Sequence, residues 1–259
     1  MIKAVIFDLD GTIYIGNTPL PGAAEAVEKL KTAGIKTIFL TNAATGSRAD
    51  VVAKLSRMNI KAERKEVYTA SYLLAKYITE NHKAKKVFVI GEKGIFDELN
   101  EAGAQKTEEA GEAGIVAVGL DRKLTYDKLC KAQIALSKGA AFVVSSMDHT
   151  YPTEIGEIPG SGAIVTAIAF ASGKKPYIVG KPNPYVLELI GKEHDLKKNE
   201  MLMVGDRIDT DVVFAKNSGI KSALVLSGTS KKANIKEIVP DYVLESVREL
   251  PAVLLAKPQ

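Results

Sequence analysis

Short apolar runs along the chain stop abruptly, and longer segments follow in which apolar positions recur every three or four residues. That rhythm predicts βα units and a parallel sheet. The first unit is a strand over Ala4 to Leu9 and a helix over Gly22 to Ala33, closed by Gly34, where a helix end favours a left-handed residue. A second strand, Thr37 to Thr41, precedes a helix that starts near Gly46-Ser47. Ser47 and Asp50 there have the spacing of a capping box, with Asp in place of the usual Glu or Gln. Further strands are expected over Lys86 to Ile90, Ile115 to Leu120 and Ala141 to Ser145. Helices are expected over Ile95 to Glu101, Tyr126 to Lys138 and Ala163 to Ala171. The last third repeats the pattern with strands over Tyr177 to Val179, Met201 to Val204 and Ala223 to Leu226. Asn183-Pro184 reads as a helix start, with asparagine as N-cap and proline at the first helical position. No low-complexity linker interrupts this order, so domain boundaries fall in short connections, near Thr79 to Lys86 and Gly173 to Pro176.

Composition narrows the class. The 259 residues are 46% hydrophobic and 25% charged, which suits a globular protein with a well-buried core. No apolar stretch is long enough to cross a bilayer, and the first residues lack the pattern of a signal peptide. A single cysteine, Cys130, cannot form an internal disulfide, which fits a cytoplasmic setting. The net charge of +4 is modest and no basic run tracks a nucleic-acid backbone, so neither nucleic acid nor membrane is an expected partner. A mildly positive balance favours the approach of a small anion.

The chemistry gathers where strands end. VIFDLDGT carries Asp8 and Asp10 at the tip of the first strand, two residues apart and so able to share a face. Paired carboxylates repel, and either one is protonated or a cation sits between them. Hard oxygen donors favour magnesium, which often binds beside a substrate phosphate. The alternative for an Asp-Gly pair is a plain turn. FLTN places Thr41 and Asn42 at the tip of another strand, as donors for phosphate oxygens or as an ordinary turn. VGKPNP puts Lys181 after a strand, held extended by Pro182. MLMVGDRIDTD ends a strand with Asp206, Asp209 and Asp211, and three acids in six residues suggest a metal site. Together these residues supply a nucleophile, a second carboxylate, phosphate donors, a cation and metal ligands. That combination suits phosphoryl transfer through a covalent aspartyl intermediate.

FDLDGT, LTN, GKP and GDRIDTD match, in order, the four motifs of the haloacid dehalogenase superfamily. DLDGTIYIGNTPLPGA, YPTEIGEIPGSGAIV and VGKPNP resemble its NagD-like, or p-nitrophenyl phosphatase-like, subfamily over essentially the whole chain. The resemblance implies an α/β fold: a Rossmann-like parallel-sheet core with helices on both faces (residues 1–79 and 177–259) and an inserted α/β cap (residues 80–176). It implies a magnesium-dependent phosphatase of small anionic phosphate monoesters. In it Asp8 attacks phosphorus, Asp10 acts as general acid and base, and Mg²⁺ is held by the Asp8 carboxylate, the Asp10 carbonyl and Asp206. Thr41, Asn42 and Lys181 would grip the phosphoryl oxygens and Asp211 would support the site. A homodimer through the cap is also compatible with it. One departure is visible. Relatives often carry Thr-Asn-x-Asp in a cap loop, where this chain has Ser145-Ser146-Met147-Asp148, so Asp148 is either a substrate contact or a loop acid serving its own backbone.

Other features carry less. Gly160-Ser161-Gly162 lacks dinucleotide-binding spacing and reads as a structural turn, Asp209 as helix-start chemistry, and Cys130 as core. His82, His149 and His194 lack metal-ligand spacing. The alternatives to a phosphatase are a phosphotransferase or phosphomutase of the same superfamily and a non-catalytic binding protein on this fold. A P-loop kinase is disfavoured, because no GxxxxGK[ST] occurs.

Overall fold

The apolar run AVIF folds as strand β1 (Ala4–Phe7), buried at every position. In the computed structural model, which describes residues 1–153 and 156–256, a short hairpin follows, β2 (Tyr14–Ile15) and β3 (Thr18–Pro19). Next come helix α1 (Ala23–Thr32), strand β4 (Lys36–Thr41), α2 (Arg48–Arg57), β5 (Val67–Thr69) and α3 (Ala70–Asn81). The middle of the chain holds β6 (Val87–Ile90), α4 (Lys93–Glu101), β7 (Ile115–Val118), α5 (Tyr126–Ser137) and β8 (Ala141–Val144). A second hairpin, β9 (Thr150–Thr153) and β10 (Gly156–Pro159), leads to α6 (Ser161–Ser172) and β11 (Tyr177–Ile178). The last third contains α7 (Tyr185–His194), β12 (Met201–Gly205), α8 (Val213–Ser218), β13 (Lys221–Val225), β14 (Tyr242–Leu244) and α9 (Leu250–Leu255). Glu154 and Ile155, within the subfamily-like stretch YPTEIGEIP, lie outside the described residues.

The chain divides into two compact units. One comprises Met1–Thr41, Val52–Tyr68 and the chain from Lys181 onward, and the other Asn42–Val51 and Thr69–Gly180. The first is built on a six-stranded sheet in the order β14-β13-β12-β1-β4-β5. β1 pairs in parallel with β12 on one side and β4 on the other, so that Phe7 lies level with Val204 and Phe39. Strands covered on both faces read as unbroken apolar runs. Ile6, Phe7, Ile38, Phe39, Leu40, Leu202, Met203 and Val204 are accordingly fully buried.

The second unit carries its own parallel sheet, in the order β11-β8-β7-β6. Phe88, Val116, Val118, Phe142 and Val144 pack in one core with Ala132 and Leu136 of α5 and Val165 and Ile168 of α6. The fold is therefore α/β, with a parallel six-stranded core and a separate, inserted parallel sheet. No helix among the described residues is long and apolar enough to cross a membrane.

Local capping follows the sequence closely. Ser47 and Asp50 form the reciprocal box, Ser47 N–H to Asp50 Oδ2 at 2.9 Å and Asp50 N–H to Ser47 Oγ at 3.3 Å. Elsewhere the elements differ from expectation. β1 ends at Phe7 rather than Leu9, because the Leu9 carbonyl accepts the N–H groups of Thr12, Ile13 and Tyr14 in a turn that Gly11 enters at φ +85°. α7 begins one residue late, with Pro184 rather than Asn183 at its N-cap; Asn183, one residue earlier, accepts the Tyr185 N–H at 2.9 Å. Tyr177 and Ile178 pair with Val143 and Val144, so this strand belongs to the second sheet. The helix over 70–81 and both hairpins have too little periodicity to be read locally.

Gly94 of α4 donates its N–H to the Thr45 carbonyl at 3.0 Å, and a Cβ placed there would run into the Gly46 backbone. Backbone cannot yield as a flexible side chain can. Gly94→Ala is expected to cost about 1–3 kcal/mol, read as a lower urea midpoint with an unchanged slope.

Candidate active site

Asp8 is the first residue beyond β1, and its N–H still donates to the Val204 carbonyl of β12 at 2.8 Å. The last ladder bond of a central strand thus anchors the residue that leaves the sheet. Ligands of open parallel sheets bind at these carboxyl ends. Lys181 arrives from far along the chain with a side chain only 2% exposed. Its Nζ donates to Asp8 Oδ1 at 2.5 Å and to Asp211 Oδ1 at 2.6 Å. The other Asp211 oxygen accepts the Arg207 N–H at 3.0 Å. Asp211 sits in a π-helical turn, Ile208–Val212, and turns of that kind often mark functional sites. Asp206, directly after β12, accepts the Thr229 N–H at Oδ2 at 2.6 Å.

Oxygen atoms of Asp8, Asp206 and Asp211 all lie within 4.8 Å of one another, and all three residues are buried. Burial pushes the Asp8 carboxyl well up, against the pull of Lys181. Burial and the neighbouring Asp211 raise Asp206 to about 6. Burial works against the Lys181 charge too, but Asp211 and Asp8 outweigh it and hold the ammonium protonated. When all are ionised, three carboxylates face one ammonium, so the cluster lacks two positive charges. Asp206 Oδ1 is buried with no hydrogen-bond partner among the described residues. An orphaned carboxylate oxygen, hard donors only and a deficit of two charges fit a divalent cation. A dication there would also draw the carboxyl pKa values back down.

Asp10 lies in the turn beyond the strand, half-buried, in a β-bridge with Tyr14. Burial raises its carboxyl, with Lys54 and Lys181 opposing. Lys54 Nζ sits 3.6 Å above the Tyr14 ring. Thr41 ends β4, buried, two residues past the Phe7–Phe39 pairing. Asn42 follows it in the chain and belongs to the second unit, where its Nδ2 donates to Asp148 Oδ1 at 3.1 Å. Asp209 is exposed and pairs with Arg207 at 2.9 Å, outside the acid cluster. Ser161 opens α6 and bonds to Ser146, so the Gly160-Ser161-Gly162 turn serves loop packing.

Sequence reasoning missed the glycines that enclose the acids. A Cβ on Gly11 would stand 2.5 Å from Asp206 Oδ2; one on Gly228 would collide with the same carboxylate, and one on Gly205 with Asp211. It also missed the segment Ser227–Ser230. Ser227 Oγ donates to the Gly11 carbonyl at 2.8 Å, and Thr229 holds Asp206. SGTS directly after the strand-like run ALVL was the available clue.

Comparison with known proteins agrees with this geometry. Residues 5–105 match the profile of the haloacid dehalogenase-like hydrolases, and residues 178–250 match a second profile, HAD-hydrolase-like. The 4-nitrophenylphosphatase of Schizosaccharomyces pombe is 36% identical, over 95% of this chain and 92% of its own. Sugar-phosphatase AraL of Bacillus subtilis is 34% identical, over 95% of this chain and 91% of its own. The chain belongs to the haloacid dehalogenase-like hydrolases, in the NagD/p-nitrophenylphosphatase family. The solved p-nitrophenyl phosphatase from Archaeoglobus fulgidus superposes on it with a TM-score of 0.93 at 33% identity, covering 98% of this chain and 99% of that one. This hydrolase is a phosphatase of that family, acting on phosphoric monoesters, and its inserted parallel sheet is the family's cap.

Asp206 yields a test that needs no substrate. A carboxyl whose pKa lies above its unfolded value costs stability as pH rises from 3.8 through about 6. In the metal-free protein, Asp206→Asn is expected to raise stability at pH 8 by on the order of 2 kcal/mol, and the gain should vanish towards pH 4. Thermal melts with a chelator across that range check it. A divalent cation held by the acid cluster should stabilise wild type more than this variant, read in the same melts with magnesium added.

Proposed function

We propose that this phosphatase hydrolyses small-molecule phosphate monoesters, sugar phosphates among them, through an aspartyl phosphate formed on Asp8. The observation that carries this reading is the buried Lys181 ammonium bonded to both Asp8 and Asp211 at the carboxyl end of the core sheet. In the first step an Asp8 carboxylate oxygen attacks phosphorus and the ester P–O bond breaks. Asp10 delivers its proton to the departing oxygen, and the burial that raises its carboxyl favours the protonated form this step needs. In the second step Asp10, now ionised, takes a proton from water. That water attacks phosphorus, the P–O bond to Asp8 breaks, and inorganic phosphate and the free carboxylate result.

Thr41, Asn42 and Lys181 are the proposed donors to the phosphoryl oxygens. The Lys181 charge offsets that of the phosphate next to Asp8. Mg²⁺ is the proposed dication, held by the Asp8 carboxylate, the Asp10 carbonyl and Asp206. When bound, it supplies charge stabilisation to the phosphoryl group. Asp211, with both oxygens already engaged by Lys181 and Arg207, is a positioning acid rather than a ligand.

Cys130 as a free thiol suits a cytoplasmic setting. A homodimer through the second unit belongs to the same reading; Tyr126 and Phe170, exposed on the packed helices α5 and α6, are residues such an interface would bury.

Release of inorganic phosphate from p-nitrophenyl phosphate and a panel of sugar phosphates tests the reaction. Activity is expected with magnesium and lost with excess chelator. Asp8→Asn should abolish turnover while the protein remains folded, and Asp10→Asn should lower kcat by about 10²–10⁴. Transfer of the phosphoryl group to a second sugar in preference to water would instead identify a phosphomutase.

A further inference from the structure

Within the first unit, the acids of the site leave the sheet after β1 and after β12. The segment Ser227–Ser230, just beyond β13, is bonded to both places. β13 pairs with β12 and β12 with β1, so β13 shares no ladder with β1. Ser227 reaches past β12 all the same, and its Oγ donates to the Gly11 carbonyl at 2.8 Å, in the turn next to Asp10. Thr229 N–H donates to Asp206 Oδ2 at 2.6 Å. Ser230 N–H donates to the Asp206 carbonyl at 3.1 Å, and Ser230 Oγ accepts the Ile208 N–H at 3.2 Å.

These bonds fix one oxygen of Asp206 and leave the other. Oδ2 is held by a backbone N–H, which cannot rotate away as a side-chain donor can. Oδ1 is buried with no hydrogen-bond partner among the described residues. The enclosure is close: a Cβ on Gly228 would collide with this carboxylate, and one on Gly11 would stand 2.5 Å from Oδ2. Ser230, itself buried, is bonded to the residues on either side of Arg207. Arg207 N–H donates to Asp211 Oδ2 at 3.0 Å, and Ile208 opens the π-helical turn that carries Asp211. Ser230 therefore sets the spacing between Asp206 and that turn, and Ser227 the spacing between the segment and the turn after β1.

Three buried carboxylates repel one another, and an unrestrained cluster would spread. Magnesium tolerates little spreading, because it demands near-octahedral geometry with ligands at about 2.0–2.1 Å. Calcium accepts more oxygens, at about 2.3–2.6 Å, in a looser arrangement. Groups that hold the ligands in place commonly contribute about 10–100-fold to metal affinity.

We propose that Ser227 and Ser230 are positioning residues, which hold Asp206 and the two neighbouring turns at a spacing that suits magnesium in preference to calcium. The inference rests on the reading of the acid cluster as a divalent-cation site, and the experiment separates the two.

Binding of magnesium alone and of calcium alone to chelator-treated protein is measured by calorimetry. Wild type is compared with Ser227→Ala, Ser230→Ala and Ser227→Thr, and thermal melts in chelator follow folding. Each alanine variant is expected to bind magnesium about 10-fold more weakly while its calcium affinity stays within about threefold of wild type. Ser227→Thr keeps the hydroxyl and should hold magnesium within about threefold of wild type.

Equal losses for both ions would mark a general loosening of the fold and overturn the proposal. Unchanged magnesium affinity in both alanine variants, with wild type binding the ion, defeats the positioning role and leaves the cation site standing. A loss in Ser227→Thr as large as that in Ser227→Ala defeats the role of the Ser227 hydroxyl. If wild type binds neither ion, the cation-site reading fails and the positioning role with it.

Discussion

The ammonium of Lys181, buried between Asp8 and Asp211, is the contact on which the first unit's chemistry depends. A lone charge at this depth would be untenable, and so would the acids without it. Three carboxylates can crowd within 4.8 Å only because one cation is built in and the remaining deficit of two charges can be met by another. The site therefore stores unfavourable electrostatics in the metal-free state, shown by the upward shifts of Asp8 and Asp206. The same arrangement favours a dication among the acids.

The sheet makes this crowding possible. β1 lies between β12 and β4, and strand ends that are distant in sequence emerge side by side: Asp8 after Phe7, Asp206 after Gly205, Thr41 at the end of β4. Close approach is then limited by what surrounds the carboxylates, and Gly11, Gly205 and Gly228 remove the side chains that would stand in the way. The glycine of the DGT motif is thus needed twice, for the left-handed turn at φ +85° and for the Asp206 carboxylate beside it.

The second unit uses the same economy for a different purpose. Its loop Ser145–Asp148 departs from the Thr-Asn-x-Asp pattern resembled elsewhere, yet Ser146 is not idle: it ties Asp148 to Ser161 and through it to α6. The pair Gly160 and Gly162, which in sequence resembles a phosphate-cradling turn, admits the backbone of that loop instead.

Periodicity and composition were enough to determine the βα order, the Ser47–Asp50 box and the placement of Asp8, Thr41 and Asp206 at strand ends. Those features follow from spacing within a few residues, where helix and strand geometry act directly. The limits of β1, the membership of Tyr177–Ile178 and the helix over 70–81 were not readable, because short apolar runs take their final form from the strand they meet. Tertiary structure alone decided the long-range side-chain pairs. Lys181 meets Asp8 across 173 residues and Asn42 meets Asp148 across 106. No local pattern encodes such partners. They are set by sheet order and register, and by which glycines let two buried chains come close.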